Sequence, residues 1–208
     1  MIETGSPDLP AEQSFNQPLP SVRSDFESRL VTSYEGRHQA VVCVGYLACT
    51  IQSPDRISLE LLDEAAGDSS SRFFIKVREE LGLAYSVGSS LFLGIAPGIF
   101  SLHAATAPEK VEQVVQILIS ELEILCRNGL EPQEFERAKT RTLSQLAFQL
   151  QNMDAYAHSV AFNELYGLGY DYVHQRRKKI ESQTLHSVNE IARKYLMDKP
   201  AITVIVRP

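Results

Sequence analysis

The stretch that decides the fold is Ser69-Ser70-Ser71-Arg72-Phe73-Phe74-Ile75-Lys76-Val77-Arg78-Glu79-Glu80-Leu81-Gly82-Leu83-Ala84-Tyr85-Ser86-Val87. Phe73, Val77 and Leu81 recur every fourth residue, so they stack on one face of a short helix. A serine in front of it can cap the free amides of the first turn. Gly82 stands where a helix ends in a left-handed residue, and Leu83 just beyond it can close back on Val77. From Tyr85 the pattern alternates: Ser86, Gly88 and Ser90 interleave with Tyr85, Val87 and Leu91, the period of a strand. Arg78 falls in the last helical turn and Tyr85 at the start of the strand, an order that can send both side chains into one space.

On the amino-terminal side, Gln39 to Leu47 is a nearly continuous apolar, β-branched run and reads as a covered strand. Ser53-Pro54-Asp55 opens a helix with Leu59, Leu62 and Ala66 on its apolar stripe. Residues 1–28 carry Pro7, Pro10, Pro18 and Pro20 among Ser, Gln, Glu and Asp, a composition that buries little and reads as a linker to something upstream. On the carboxyl side, Tyr85–Phe92 and Gly98–Ala105 are spaced as a hairpin. Thr106-Ala107-Pro108-Glu109 reads as a capping box for a long helix striped by Val111, Val114, Val115, Leu118, Ile119, Leu122 and Leu125 and stopped at Asn128-Gly129. Pro132 opens the next, with Phe135, Leu143, Leu146 and Leu150 facing inward. Helices over Asp154–Tyr166 and about Tyr172–Ile180 follow. Thr184 caps another, and Ala201–Val206 is a closing strand. Strands, a hairpin and a block of helices make residues 29–208 one α+β domain: a mainly antiparallel sheet with helices packed on one face.

The 208 residues suffice for one well-buried domain, and 44% hydrophobic with 22% charged residues is ordinary for a soluble globular chain. A net charge of -6 argues against a nucleic-acid partner, which needs clustered positive charge. Arg176-Arg177-Lys178-Lys179 reads as a solvated helix end, with an anion-binding patch as the alternative. Cys43, Cys49 and Cys126 are odd in number and without C-x-x-C spacing, so they read as buried or free thiols rather than a disulfide framework or a zinc–thiolate site. No apolar run approaches the roughly 20 residues of a membrane span, and the amino end lacks a basic-then-apolar leader.

The run RFFIKVREELGLAYSVGSS, together with the later LEPQEFERAKT, resembles the second, non-catalytic half of pitrilysin/insulinase-type zinc metallopeptidases, the family of mitochondrial processing peptidase. The order of elements is similar over roughly residues 29–208. The resemblance implies a half-molecule of the processing-peptidase fold, which closes a peptide-binding chamber. It also implies a zinc-carrying partner half, in cis or as a separate subunit. In that family this half carries an Arg and, seven residues on, a Tyr. Arg78 and Tyr85 have this spacing, and the resemblance gives them a substrate-binding role.

A hydrolytic zinc needs about three protein ligands, a water and a nearby carboxylate, which this family sets in H-x-x-E-H. His38, His103, His158, His174 and His186 form no such motif, so no catalytic or metal-ligating residue is assigned in this chain. Zinc is expected in the partner, and the chain alone is expected to be inactive. Arg78 and Tyr85 are both hydrogen-bond donors, suited to the charge that develops on a peptide carbonyl under attack. Their plainer alternative is a solvated Lys76/Arg78/Glu79/Glu80 face and a core strand tyrosine. Two functions therefore stay open: the inactive half of a zinc endopeptidase, or a non-enzymatic scaffold subunit of the same fold. An extended peptide could also add to a sheet edge through backbone bonds alone.

Overall fold

The computed structural model describes residues 27–34 and 39–208; most of the proline-rich linker, up to residue 26, lies outside them. Numbered in chain order, the strands are β1 (Arg29–Tyr34), β2 (Ala40–Leu47), β3 (Ala84–Phe92), β4 (Ile99–Thr106) and β5 (Ile202–Arg207). They form one sheet in the order β1-β5-β2-β4-β3. Only β1 and β5 run parallel; every other pairing is antiparallel. β1 has no counterpart in the sequence reading, which began its first strand at Gln39. Six mixed residues at a sheet edge carry too weak an alternation to stand out.

The helices are α1 (Arg56–Gly67), α2 (Arg72–Phe74, continuing as π-helical turns over Ile75–Glu80), α3 (Val111–Asn128), α4 (Pro132–Gln151), α5 (Met153–Leu165), α6 (Tyr172–Glu181) and α7 (Leu185–Leu196). Alternation along the strands explains why they cover one side. Ala40, Val42, Val44 and Tyr46 of β2 lie opposite Thr106, Ala104, Leu102 and Phe100 of β4, and all eight are buried. The intervening residues point the other way and stay open: Val41, Ile99, Phe92 and Ile202 are all exposed. Among the described residues, no element covers that second face. No helix among them is long and apolar enough to cross a membrane.

Several local expectations shift. The inward stripe of α4 is Phe135, Ala138, Thr142 and Leu146, while Leu143 and Leu150 are only half-buried. Thr142 can be buried because its hydroxyl donates to the Ala138 carbonyl at 2.8 Å. α1 starts two residues late, at Arg56, because Ser53 Oγ accepts from the Asp55 amide (3.2 Å) and Asp55 turns away to Lys194 and Tyr195. Thr106 ends β4 instead of capping α3, which a 3₁₀ turn over Pro108–Lys110 introduces. Capping boxes do occur, at Glu131/Glu134 and at Thr184/Ser187.

Candidate functional site

Ser71 caps the focal helix by accepting from the Phe74 amide at 3.2 Å. The next residue anchors it. Arg72 Nε donates to Glu134 Oε1 at 2.9 Å, one of its terminal nitrogens bonds Glu134 Oε2, and the same nitrogen reaches the Gly129 carbonyl at 3.2 Å. Burial acts to raise the Glu134 carboxyl, yet the bonds from Arg72 and from the Glu131 amide leave it below its ordinary value. This fork ties the focal helix to the start of α4.

Phe73 and Val77 are fully buried, as spacing by four requires, but Leu81 is 41% exposed. The reason is a slip in the hydrogen-bond ladder. From Ile75 the turns are π-helical, and the Leu81 amide bonds Lys76 O at 3.2 Å, five residues back. A wider turn rotates everything beyond it, so Leu81 swings off the buried stripe. Gly82 then adopts φ +58°, and the Leu83 amide closes on Val77 O at 2.9 Å. Two side chains from elsewhere hold this turn: the Thr106 hydroxyl donates to the Leu83 carbonyl, and Lys110 Nζ to the Gly82 carbonyl at 3.0 Å. Sequence reading missed both, having assigned Thr106 to a helix cap.

Arg78 lies inside the π turn and is exposed, with its guanidinium carbon 4.9 Å from the Phe74 ring centroid. Lys76 pairs with Glu80 at 2.8 Å, which leaves Arg78 without an ion-pair or hydrogen-bond partner among the described residues. Tyr85 is 61% exposed and sits at a break in register, since Ala84 faces Thr106 and Ser86 faces Ala105. It is the extra residue of a β-bulge, which parts it from Val87, buried at 8%. Tyr85 is thus no core strand residue. Its hydroxyl, too, has no partner among the described residues. Arg78 and Tyr85 stand on adjoining elements on either side of one clamped glycine turn, and no direct bond joins them.

Beside this turn lies the open face of the sheet. One cross-strand row runs Val204, Cys43, His103, Gly88. Gly88 is tightly placed there: a Cβ would fall 3.0 Å from His103 Nε2, so the imidazole would have to give way. His38 lies outside the described residues, whereas His158, His174 and His186 lie on α5, α6 and α7. Among the described residues, no three His, Cys, Asp or Glu side chains are grouped so as to hold a metal ion. Of the four tyrosines Tyr156, Tyr166, Tyr170 and Tyr172, the last is core and Tyr170 is exposed.

The sequence matches a family model described as "Peptidase M16 inactive domain" over residues 6–142. An uncharacterized zinc protease of Mycobacterium tuberculosis is 34% identical over 152 residues, which is 72% of this chain and 34% of that protein. The chain therefore spans about a third of that relative's length. A protease from Helicobacter pylori has the same fold, with a TM-score of 0.84 at 17% identity over 95% of this chain and 48% of that one. So does a chain of Complex III2 from Candida albicans, with a TM-score of 0.77 at 16% identity over 86% of this chain and 46% of that one.

Proposed function

Since the chain belongs to the peptidase M16 family, as its inactive domain, we propose that it closes one side of a peptide chamber and lends Arg78 and Tyr85 to the substrate. A partner half bearing H-x-x-E-H, upstream in the same polypeptide or on a separate subunit, carries the zinc, its ligands and the catalytic base. One observation carries the reading. Arg78 and Tyr85 leave the fold at a π turn and a β-bulge, and neither side chain makes a hydrogen bond or ion pair among the described residues. Both irregularities cost regular hydrogen bonding and recur at functional sites, where they re-aim a side chain. The uncovered sheet face, with Val41, Ile99 and Phe92 exposed, supports the chamber wall.

The chemistry is stabilisation of charge. As a peptide carbonyl is attacked, its oxygen gains negative charge, and fixed donors aimed there lower the barrier. The Phe74 ring beneath Arg78 restricts the guanidinium before substrate arrives, and the clamped Gly82–Leu83 turn fixes the distance along the chain to Tyr85. Loss of one such donor costs on the order of 3 kcal/mol, or roughly a hundredfold in rate.

The test mixes this chain with the H-x-x-E-H half encoded beside it and follows peptide cleavage. Arg78→Ala should lower kcat/KM by about two orders of magnitude and Tyr85→Phe by about one or two, with thermal unfolding of the chain unchanged. Cleavage that ignores both substitutions overturns the role of the pair. A second reading, a non-enzymatic scaffold, draws on the Candida albicans Complex III2 chain of like fold. It gains if the assembled pair binds tightly and cleaves nothing.

A further inference from the structure

We infer that a crevice between the start of α1, the end of α4, α5 and α6 binds a small oxyanion, the phosphate or carboxylate group of a compact ligand. The inference does not depend on the peptidase reading. The crevice measures about 250 Å³, and its polar lining is Arg56, Arg176, Asn163, His158, Gln149 and Ser159, with no carboxylate.

Two buried donors in it lack hydrogen-bond partners among the described residues. Arg56 and Arg176 share a single carboxylate: Arg56 Nε donates to Glu60 Oε1 at 2.7 Å, and an Arg176 terminal nitrogen to Glu60 Oε2 at 3.0 Å. Glu60 is the one carboxylate that either guanidinium bonds among the described residues. Arg56 Nη1 and Arg176 Nε are buried with no hydrogen-bond partner among the described residues. Arg56 as a whole is only 9% exposed. Asn163 is 7% exposed, and it is the single buried position of α5, a helix whose other residues are half-buried or exposed. Its side-chain amide makes no hydrogen bond among the described residues, but its polar atoms keep some contact with solvent. Buried donors left unpaired are rare in native proteins and costly, more so when charged. Two of them beside one small opening indicate a missing acceptor.

The sign of that acceptor follows from the surroundings. Two guanidinium groups and an amide call for several oxygen lone pairs close together, which a phosphate or carboxylate offers. Arg56 and Arg176 also border an adjoining crevice with Glu60, Asp63 and Glu64, acids that already have partners. There Glu64 pairs with Arg141 at 2.7 Å, and Asp63 accepts from Ser89 at 2.6 Å. The basic run of α6 divides accordingly. Arg177 pairs outward with Glu181 at 2.8 Å and Lys179 lies over the Tyr172 ring, while Arg176 alone turns into the crevice. The solvated helix end read from the sequence thus holds for Arg177 and not for Arg176.

Isothermal titration of the 208-residue chain at low ionic strength tests this, with inorganic phosphate in one arm and succinate in the other. Saturable binding is expected in at least one arm, weakened by added salt, and the stronger arm identifies the group recognised. Arg176→Met should weaken it about tenfold, the worth of one charge-assisted hydrogen bond. Asn163→Leu, similar in volume and apolar, should also weaken binding severalfold while leaving the ligand-free melting temperature equal or higher, because it puts an apolar side chain where a largely buried residue makes no side-chain hydrogen bond. No saturable binding in either arm overturns the inference and leaves water as the occupant. So does undiminished affinity in Asn163→Leu, or a marked loss of stability in that variant.

Discussion

At the scale of single residues, Arg78 lies over the Phe74 ring, and neither it nor Tyr85 makes a hydrogen bond or ion pair among the described residues. The neighbouring charges are engaged: Lys76 with Glu80, and Arg72 with Glu134. The same accounting sorts the thiols. Cys43 is half-buried on the open face, whereas Cys49 and Cys126 are buried, and burial pushes the Cys126 thiol up to about 11 and the Cys49 thiol upward as well. Thiolate is the reactive form, so alkylation of the native chain should modify Cys43 first and reach the other two only on unfolding. Peptide mapping after brief iodoacetamide treatment checks this, and early labelling of Cys126 would contradict it.

At the scale of elements, the focal helix shows where sequence and structure part. The spacing of Phe73 and Val77, the serine cap and the glycine stop are written in residue types, and all three hold. The π turn and the bulge are not, because a slipped hydrogen bond or an extra strand residue changes no side chain. Their effects nonetheless decide the site: Leu81 moves outward, and Tyr85 leaves the face of Val87. Thr106 departs from its expected role for a related reason, since T-x-x-E spacing is local and its actual partner, Leu83, lies in the turn before β3. Gly82 offers a direct check. A Cβ there meets nothing within 4 Å, so Gly82→Ala should cost only the strain of the left-handed backbone, about 1 kcal/mol. Urea unfolding measures it. Gly82→Asn should recover part of the loss; if the two variants match, the turn is not held left-handed in solution.

At the scale of the whole molecule, the α+β layering and the single-sided packing were legible from the strand alternation and the α3 stripe. Invisible were β1 and the crevice at α5, the first for its mixed residues and weak alternation and the second because it depends on Arg56, Asn163 and Arg176 meeting from three helices. The one-sided packing makes a further prediction. Val41 is 44% and Ile99 51% exposed on the uncovered face, so replacing both by lysine should change the chain's own stability by no more than about 1 kcal/mol. If that face walls the chamber, the same pair should weaken cleavage in the assembled enzyme. Denaturant melts and cleavage assays run side by side separate the effects.

Because, among the described residues, β1 pairs with β5 alone, Arg29 lies against Ile202 and Tyr34 against Arg207. A ribosome delivers the first of these strands long before the second, and in that interval it has nothing to join. The sheet can be finished only as translation of this region ends, which makes the early strand a waiting part and leaves β2 bare along one side until then.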